Sequence, residues 1–200
     1  MPRGAARDAD ERRRALLEAA TAVVRANGPR ATMESMAAAS GVTKPILYRH
    51  FGDRQGLVAA IGERFQRELG DAIGAALETF GRTGDGAVLR ATIDAYLSLV
   101  ERETELYRFL VQQDARTGNE ISSAFVAQIT KRVAGVVAAA LQARGRDPTP
   151  AELWSVGIVG MVHAAGDWWA QERPELDRTA VVDELTALLW GGLGALAQDS

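Results

Sequence analysis

Apolar residues recur three and four positions apart along most of the chain, with polar residues filling the places between. Leu16, Leu17, Ala20, Val23 and Val24 form one such stripe and predict an amphipathic helix from about Asp10 to Ala26. Asn27-Gly28-Pro29 stops it, because glycine suits the end of a helix and proline cannot continue one. Ahead of it, Arg3 to Arg7 read as a flexible arm. Leu57, Ile61, Phe65 and Leu69 predict a helix from Asp53, its cap, to about Leu69. Leu89, Ile93, Tyr96, Leu97 and Val100 mark another. Leu106, Tyr107, Leu110 and Val111, capped by Thr104, mark the next, and the apolar positions from Ile121 to Leu141 a long one. Thr149-Pro150-Ala151-Glu152 reads as a capping box opening a helix to about Gln171. A last helix spans about Arg178–Ala197. The breaks fall at the glycine-rich segment Gly81–Gly86, at Ala115–Asn119, at Arg146-Asp147-Pro148 and at Pro174. No window shows the strict alternation of a half-buried strand, so the expected fold is all-α with about nine helices.

The stretch from Thr32 to Phe51 has a more particular shape: two short helices and a tight turn. Thr32 is a good cap for the first, with Met36 and Ala37 facing inward. Gly41 stands where the backbone must leave the helix with positive φ. Thr43 caps the second helix, Pro45 is tolerated in its first turn, and Val42 and Leu47 plug inward. Thr43, Lys44, Tyr48 and His50 are left for the outer surface. This is the layout of a DNA-binding helix-turn-helix, whose second helix offers its N-terminal residues to the major groove.

Ser40-Gly41-Val42-Thr43, then Leu47-Tyr48-Arg49-His50-Phe51, then Asp53-Arg54 and Leu57, resemble the signature of the tetracycline-repressor (TetR) family of bacterial transcriptional regulators. Met36 stands where Ile is more usual, Ser40 where Ala is common and Arg54 where Lys is common; none of these removes a type of contact. The resemblance implies a three-helix DNA-binding head over residues 1–55 and a helical ligand-binding and dimerisation body over 56–200. It implies that Thr43, Lys44, Pro45 and Ile46 meet base edges and that Thr32, Tyr48, His50 and Arg54 meet phosphates. It also implies a repressor that leaves a palindromic operator when a small ligand binds, and that the helix starting at Asp53 transmits the ligand state.

Charge supports the head assignment only weakly. The formal net charge is −3, but residues 1–55 carry ten Lys and Arg against six Asp and Glu, an excess of +4 that leaves −7 for the rest. A basic head on an acidic body suits phosphate binding. The chain has no cysteine, which excludes a disulfide framework, a Cys-ligated zinc and a thiol nucleophile, and fits a reducing cytoplasm. Its N-terminus does not read as a signal peptide, and its apolar runs fall short of the roughly 20 residues of a membrane span. No cofactor is expected. His163 and Asp167 are four apart on one helix face, but no nucleophile or third metal ligand accompanies them, so an enzyme is a poor reading.

Two features of the body remain. Gly157, Gly160 and Ala164 lie at three- and four-residue spacings in the eighth helix, and Gly191, Gly192, Gly194 and Ala195 crowd the end of the ninth. Each glycine lowers helix propensity by about 1 kcal/mol, so their clustering points to close helix packing, within the chain or in a homodimer. Tyr96, Tyr107, Phe125, Trp154, Met161, His163, Trp168 and Trp169 either fill the core or line a cavity for an apolar small-molecule effector. The other class of function consistent with the sequence is a helical protein-interaction module without sequence-specific DNA binding.

Overall fold

The computed structural model describes the backbone of residues 3–80, 86–117 and 120–191, and the side chains of residues 7–76, 86–113 and 126–191. Every regular element among the described residues is helical: α1 Arg3–Asn27, a 3₁₀ turn Gly28–Arg30, α2 Met33–Ala39, α3 Lys44–Phe51, α4 Arg54–Phe80, α5 Gly86–Arg102, α6 Thr104–Thr117, α7 Glu120–Ala143, α8 Ala151–Glu172 and α9 Arg178–Gly191. The all-α expectation is met. No helix among the described residues is long and apolar enough to cross a membrane. The glycine-rich segment 81–85 and the glycines beyond Gly191 lie outside the described residues.

Several local expectations need correction: α6 takes Thr104 as its first residue rather than its cap and runs through Thr117 into the expected break, and three other differences have clear causes. The segment Arg3–Arg7 is part of α1 rather than a free arm; Ala5, Ala6 and the residues after them are mostly good helix formers, and nothing there breaks the helix. The helix after Asp53 does not end near Leu69 but runs on to Phe80, because Gly70 and Gly74 weaken a helix without stopping it. The capping box at Thr149 does not form. The Thr149 hydroxyl instead donates to Asp147 Oδ1 at 2.7 Å, the Thr149 amide donates to the same oxygen at 2.9 Å, and Pro150 takes the cap position without a side-chain bond. The two Thr149 donors hold the Asp147 carboxyl below its ordinary range.

The chain divides into two compact units. The first comprises residues 1–66 together with 103–121. Its core gathers Leu16, Ala20 and Val24 of α1, Met36 and Ala37 of α2, Leu47 and Phe51 of α3, and Leu57 and Ile61 of α4, all buried. Here α6 packs against α1 and the 3₁₀ turn. Arg25 reaches Glu103 through two bonds, Nε to Oε2 at 2.7 Å and a second guanidinium nitrogen to Oε1 at 3.0 Å, the fork geometry that favours an arginine–carboxylate pair. Phe65 and Tyr107 meet at 6.0 Å between ring centroids, tilted by 49°.

The second unit comprises residues 67–102 and 122–200. Its described centre is α5, which packs against both α8 and α9. Ile93, Leu97 and Val100 of α5 and Val182 and Leu185 of α9 are buried. Polar ties edge the α5–α9 contact: Arg90 Nε donates to Asp183 at 2.7 Å, and Arg178 bonds both Asp94 and Glu101.

Candidate nucleic-acid interface

The helix-turn-helix forms as the local chemistry requires. Thr32 caps α2: its hydroxyl accepts from the Ser35 amide at 3.2 Å, while the Ser35 hydroxyl accepts from the Thr32 amide at 3.0 Å. Ser35 thus takes the place that Glu or Gln fills in the usual capping box. At the far end Gly41 adopts φ of 65°, and the Val42 amide bonds back to Ala37 at 3.0 Å, which closes the turn.

Helix α3 is seated by Leu47 and Phe51, one turn apart and both buried. The guanidinium of Arg13 lies 4.9 Å from the Phe51 ring centroid, so α1 also grips the C-terminal end of α3. Gly52 ends α3 with φ of 83°, and Asp53 then caps α4 by accepting from the Gly56 amide at 2.8 Å.

With one side fixed inward, the other side of α3 is available. Thr43 and Pro45 are exposed, and Lys44, Ile46 and Tyr48 are half-buried. Thr43 holds the N-cap position, but its hydroxyl makes no capping bond. The expected phosphate group is less uniform. Thr32 is exposed, yet its hydroxyl serves the α2 cap. Arg54 opens α4 and is half-buried. His50 is half-buried, and its Nε2 is buried without a hydrogen-bond partner, so that nitrogen is turned away from any surface phosphate.

Two residues of this region lie outside the expected set of DNA contacts. Arg49 is exposed on α3. Glu34, on α2, forms an ion pair with Lys44, and the pairing holds the Glu34 carboxyl below its ordinary range. Arg49 could have been found as a cation on the outer side of the recognition helix; Glu34 has no sequence signal, since it lies ten residues from its partner.

The residues named for an effector cavity stand in different surroundings, and among them the structure brings Tyr96 and His163 together. Tyr107 lies in the first unit, against Phe65, and the side chain of Phe125 is outside those described. In the second unit Tyr96 is buried, with its hydroxyl 3.3 Å from His163 Nδ1, which stands 3.9 Å from an Asp167 carboxylate oxygen. Trp169 is buried and donates to the Leu176 carbonyl at 3.0 Å. Trp154, Met161 and Trp168 are instead exposed, at 41%, 40% and 48%. They follow one another every seven residues. Gly157 and Ala164, also exposed, fill the intervening three- and four-residue steps. This is an apolar seam of large and small residues along α8. Leu153 and Val156 beside it, and Leu188 and Trp190 on α9, are exposed too.

Comparison with known proteins agrees with this geometry. Residues 16–61 match the model for bacterial regulatory proteins of the tetR family, and residues 68–200 match the model for the tetracyclin repressor-like C-terminal domain. The chain belongs to the TetR family. Its relatives include the HTH-type transcriptional activator FasR of Mycolicibacterium smegmatis, 30% identical over 186 residues that cover 92% of this chain and 84% of the relative. An HTH-type transcriptional regulator of Mycobacterium tuberculosis is 28% identical over 193 residues, 94% of this chain and 80% of the other. Among solved structures, a tetR-family regulator from Streptomyces coelicolor superposes with a TM-score of 0.71 at 18% identity, covering 96% of this chain and 84% of its own. The regulator FadR of Bacillus subtilis, solved with stearoyl-CoA, gives 0.68 at 17% identity, covering 89% and 97%. At such identities the structural likeness speaks for the fold. This TetR chain is a DNA-binding transcriptional regulator of the helix-turn-helix class.

Proposed function

We propose that this TetR regulator acts in the cytoplasm as a homodimer on an inverted-repeat operator and changes its affinity for that operator when an apolar small molecule binds. The observation that carries the DNA half is α3: Leu47 and Phe51 anchor it, while Thr43, Lys44 and Pro45 stand at its outer N-terminal end. Thr43, Lys44, Pro45 and Ile46 are assigned to base edges. Thr32, Tyr48, His50 and Arg54 are assigned to phosphates, with Tyr48 and Arg54 the stronger members, since the Thr32 hydroxyl and amide both serve the α2 cap and His50 Nε2 is buried. The exposed seam Trp154-Gly157-Met161-Ala164-Trp168 supports the dimer. A two-fold contact covers such a seam with its own copy, and small residues let backbones approach.

Dimerisation places two recognition helices on successive major grooves, about 34 Å apart. An effector bound by the body then needs to shift that spacing only slightly. FadR of Bacillus subtilis was solved with stearoyl-CoA, which makes long-chain acyl thioesters the first class to test here. Release from the operator by the effector makes the protein a repressor; FasR is named an activator, so the sign of regulation is a separate measurement.

The test of the DNA reading is fluorescence anisotropy on DNA over a salt series. Lys44→Ala should weaken binding. It should lower the log–log salt slope by about one per head if Lys44 neutralises a phosphate, or relax one base preference if it reads a base. Unchanged affinity, slope and preference would remove α3 from the interface.

A further inference from the structure

The cation at the head of the recognition helix is already partnered by the protein's own carboxylate. Lys44 occupies the first position of α3 and Glu34 the second position of α2, and their side chains form an ion pair across the turn. The turn fixes the distance between them: Gly41 in its left-handed conformation and the Val42–Ala37 bond leave the two helix starts in a set relation. Both side chains remain open to solvent, Lys44 at 39% and Glu34 at 65%. A pair so exposed contributes little to folding, and α2 is already capped by Thr32 and Ser35. Its consequence lies at the surface where Thr43, Lys44 and Pro45 stand.

Non-specific DNA binding comes almost wholly from cations that replace counterions around phosphates. A carboxylate beside Lys44 works against that gain twice. It neutralises the ammonium, and it brings negative charge toward a polyanion. A lysine inside the major groove can instead bond guanine O6 and N7, a directional contact that a random sequence does not supply.

We propose that Glu34 is a specificity-determining residue. By holding Lys44, it withholds this cation from chance phosphate encounters and releases it only where the operator offers base acceptors at that position. The inference rests on the reading that α3 enters DNA. Glu34 is a positioning residue here and needs no contact with a base.

The experiment uses the full chain as wild type, Glu34→Gln, Lys44→Ala and the double variant. Each is titrated with a duplex selected from a random pool and with a scrambled duplex of the same composition, over a salt series. Glu34→Gln should tighten binding to the scrambled duplex by about three- to ten-fold and steepen its salt slope by about one per head, while the selected duplex gains less. The ratio of specific to non-specific affinity should therefore fall. On the Lys44→Ala background the same change should leave that ratio unmoved. If Glu34→Gln strengthens both duplexes equally, or acts as strongly without Lys44, the carboxylate is a bare surface charge and the proposal is overturned. If wild type binds neither duplex, the DNA reading itself falls, an outcome distinct from an unchanged ratio in a protein that binds.

Discussion

At the scale of single residues, the positions that matter most in the head are those with no room. Gly56 sits in the first turn of α4, and a Cβ there would stand 2.0 Å from the Phe51 carbonyl oxygen. That oxygen belongs to the last residue of the recognition helix, so the backbone would have to move. Gly56→Ala is expected to destabilise the head by about 1–3 kcal/mol through overpacking, and to weaken DNA binding beyond the fraction unfolded. Denaturant titration alongside anisotropy checks it; a variant with wild-type values in both would show that the turn yields freely. Gly157 and Gly160 are the opposite case, since a Cβ at either meets nothing within 4 Å. Their smallness serves nothing inside the described residues of one chain, which makes them informative about a second. The residue scale is also where sequence was least legible. Thr32, Gly41 and Asp53 announce themselves, because capping and positive φ have strong residue preferences. The Glu34–Lys44 pair does not, because two exposed polar residues across a turn leave no periodic trace.

At the scale of elements, periodicity located the long helices, and caps and the turn glycine the two short ones, but periodicity could not say what covers each apolar stripe. Trp154, Met161 and Trp168 read as cavity lining because aromatic and sulfur side chains at helical spacing look the same whether they face a ligand, a core or another subunit. The observed exposure takes all three out of the core of their own chain. Likewise α6 lies more than seventy residues beyond α1 and the 3₁₀ turn, yet packs against both. A stripe shows that a helix packs and leaves its partner open. The exposed α8 seam has a direct consequence. Gly157→Leu or Met161→Asp should give a protein of native helix content that sediments as a monomer, because neither residue is buried within its own chain. It should also bind a full inverted repeat far more weakly, since each head loses the local concentration that the other provides. A variant that remains dimeric by analytical ultracentrifugation would place the interface elsewhere.

At the scale of the whole molecule, the account joins a DNA-binding head to an effector-responsive body. Linkage sets its terms. If an effector changes operator affinity by a factor, the operator must change effector affinity by the same factor, and couplings of about 1–3 kcal/mol span some 5- to 150-fold. Any apolar compound found to bind the body should, when titrated calorimetrically with and without operator, show that reciprocity. Equal affinities in the two titrations would mean that binding is uncoupled from control. The claim beneath all of this is that α3 of a dimer reads a specific site, and the most direct measurement is selection of bound sequences from a random DNA pool. The account predicts enrichment of an inverted repeat with two like half-sites about one helical turn apart, lost in Lys44→Ala or altered at one position of each half. Recovery of a non-symmetric motif, or no enrichment over the starting pool, would contradict it.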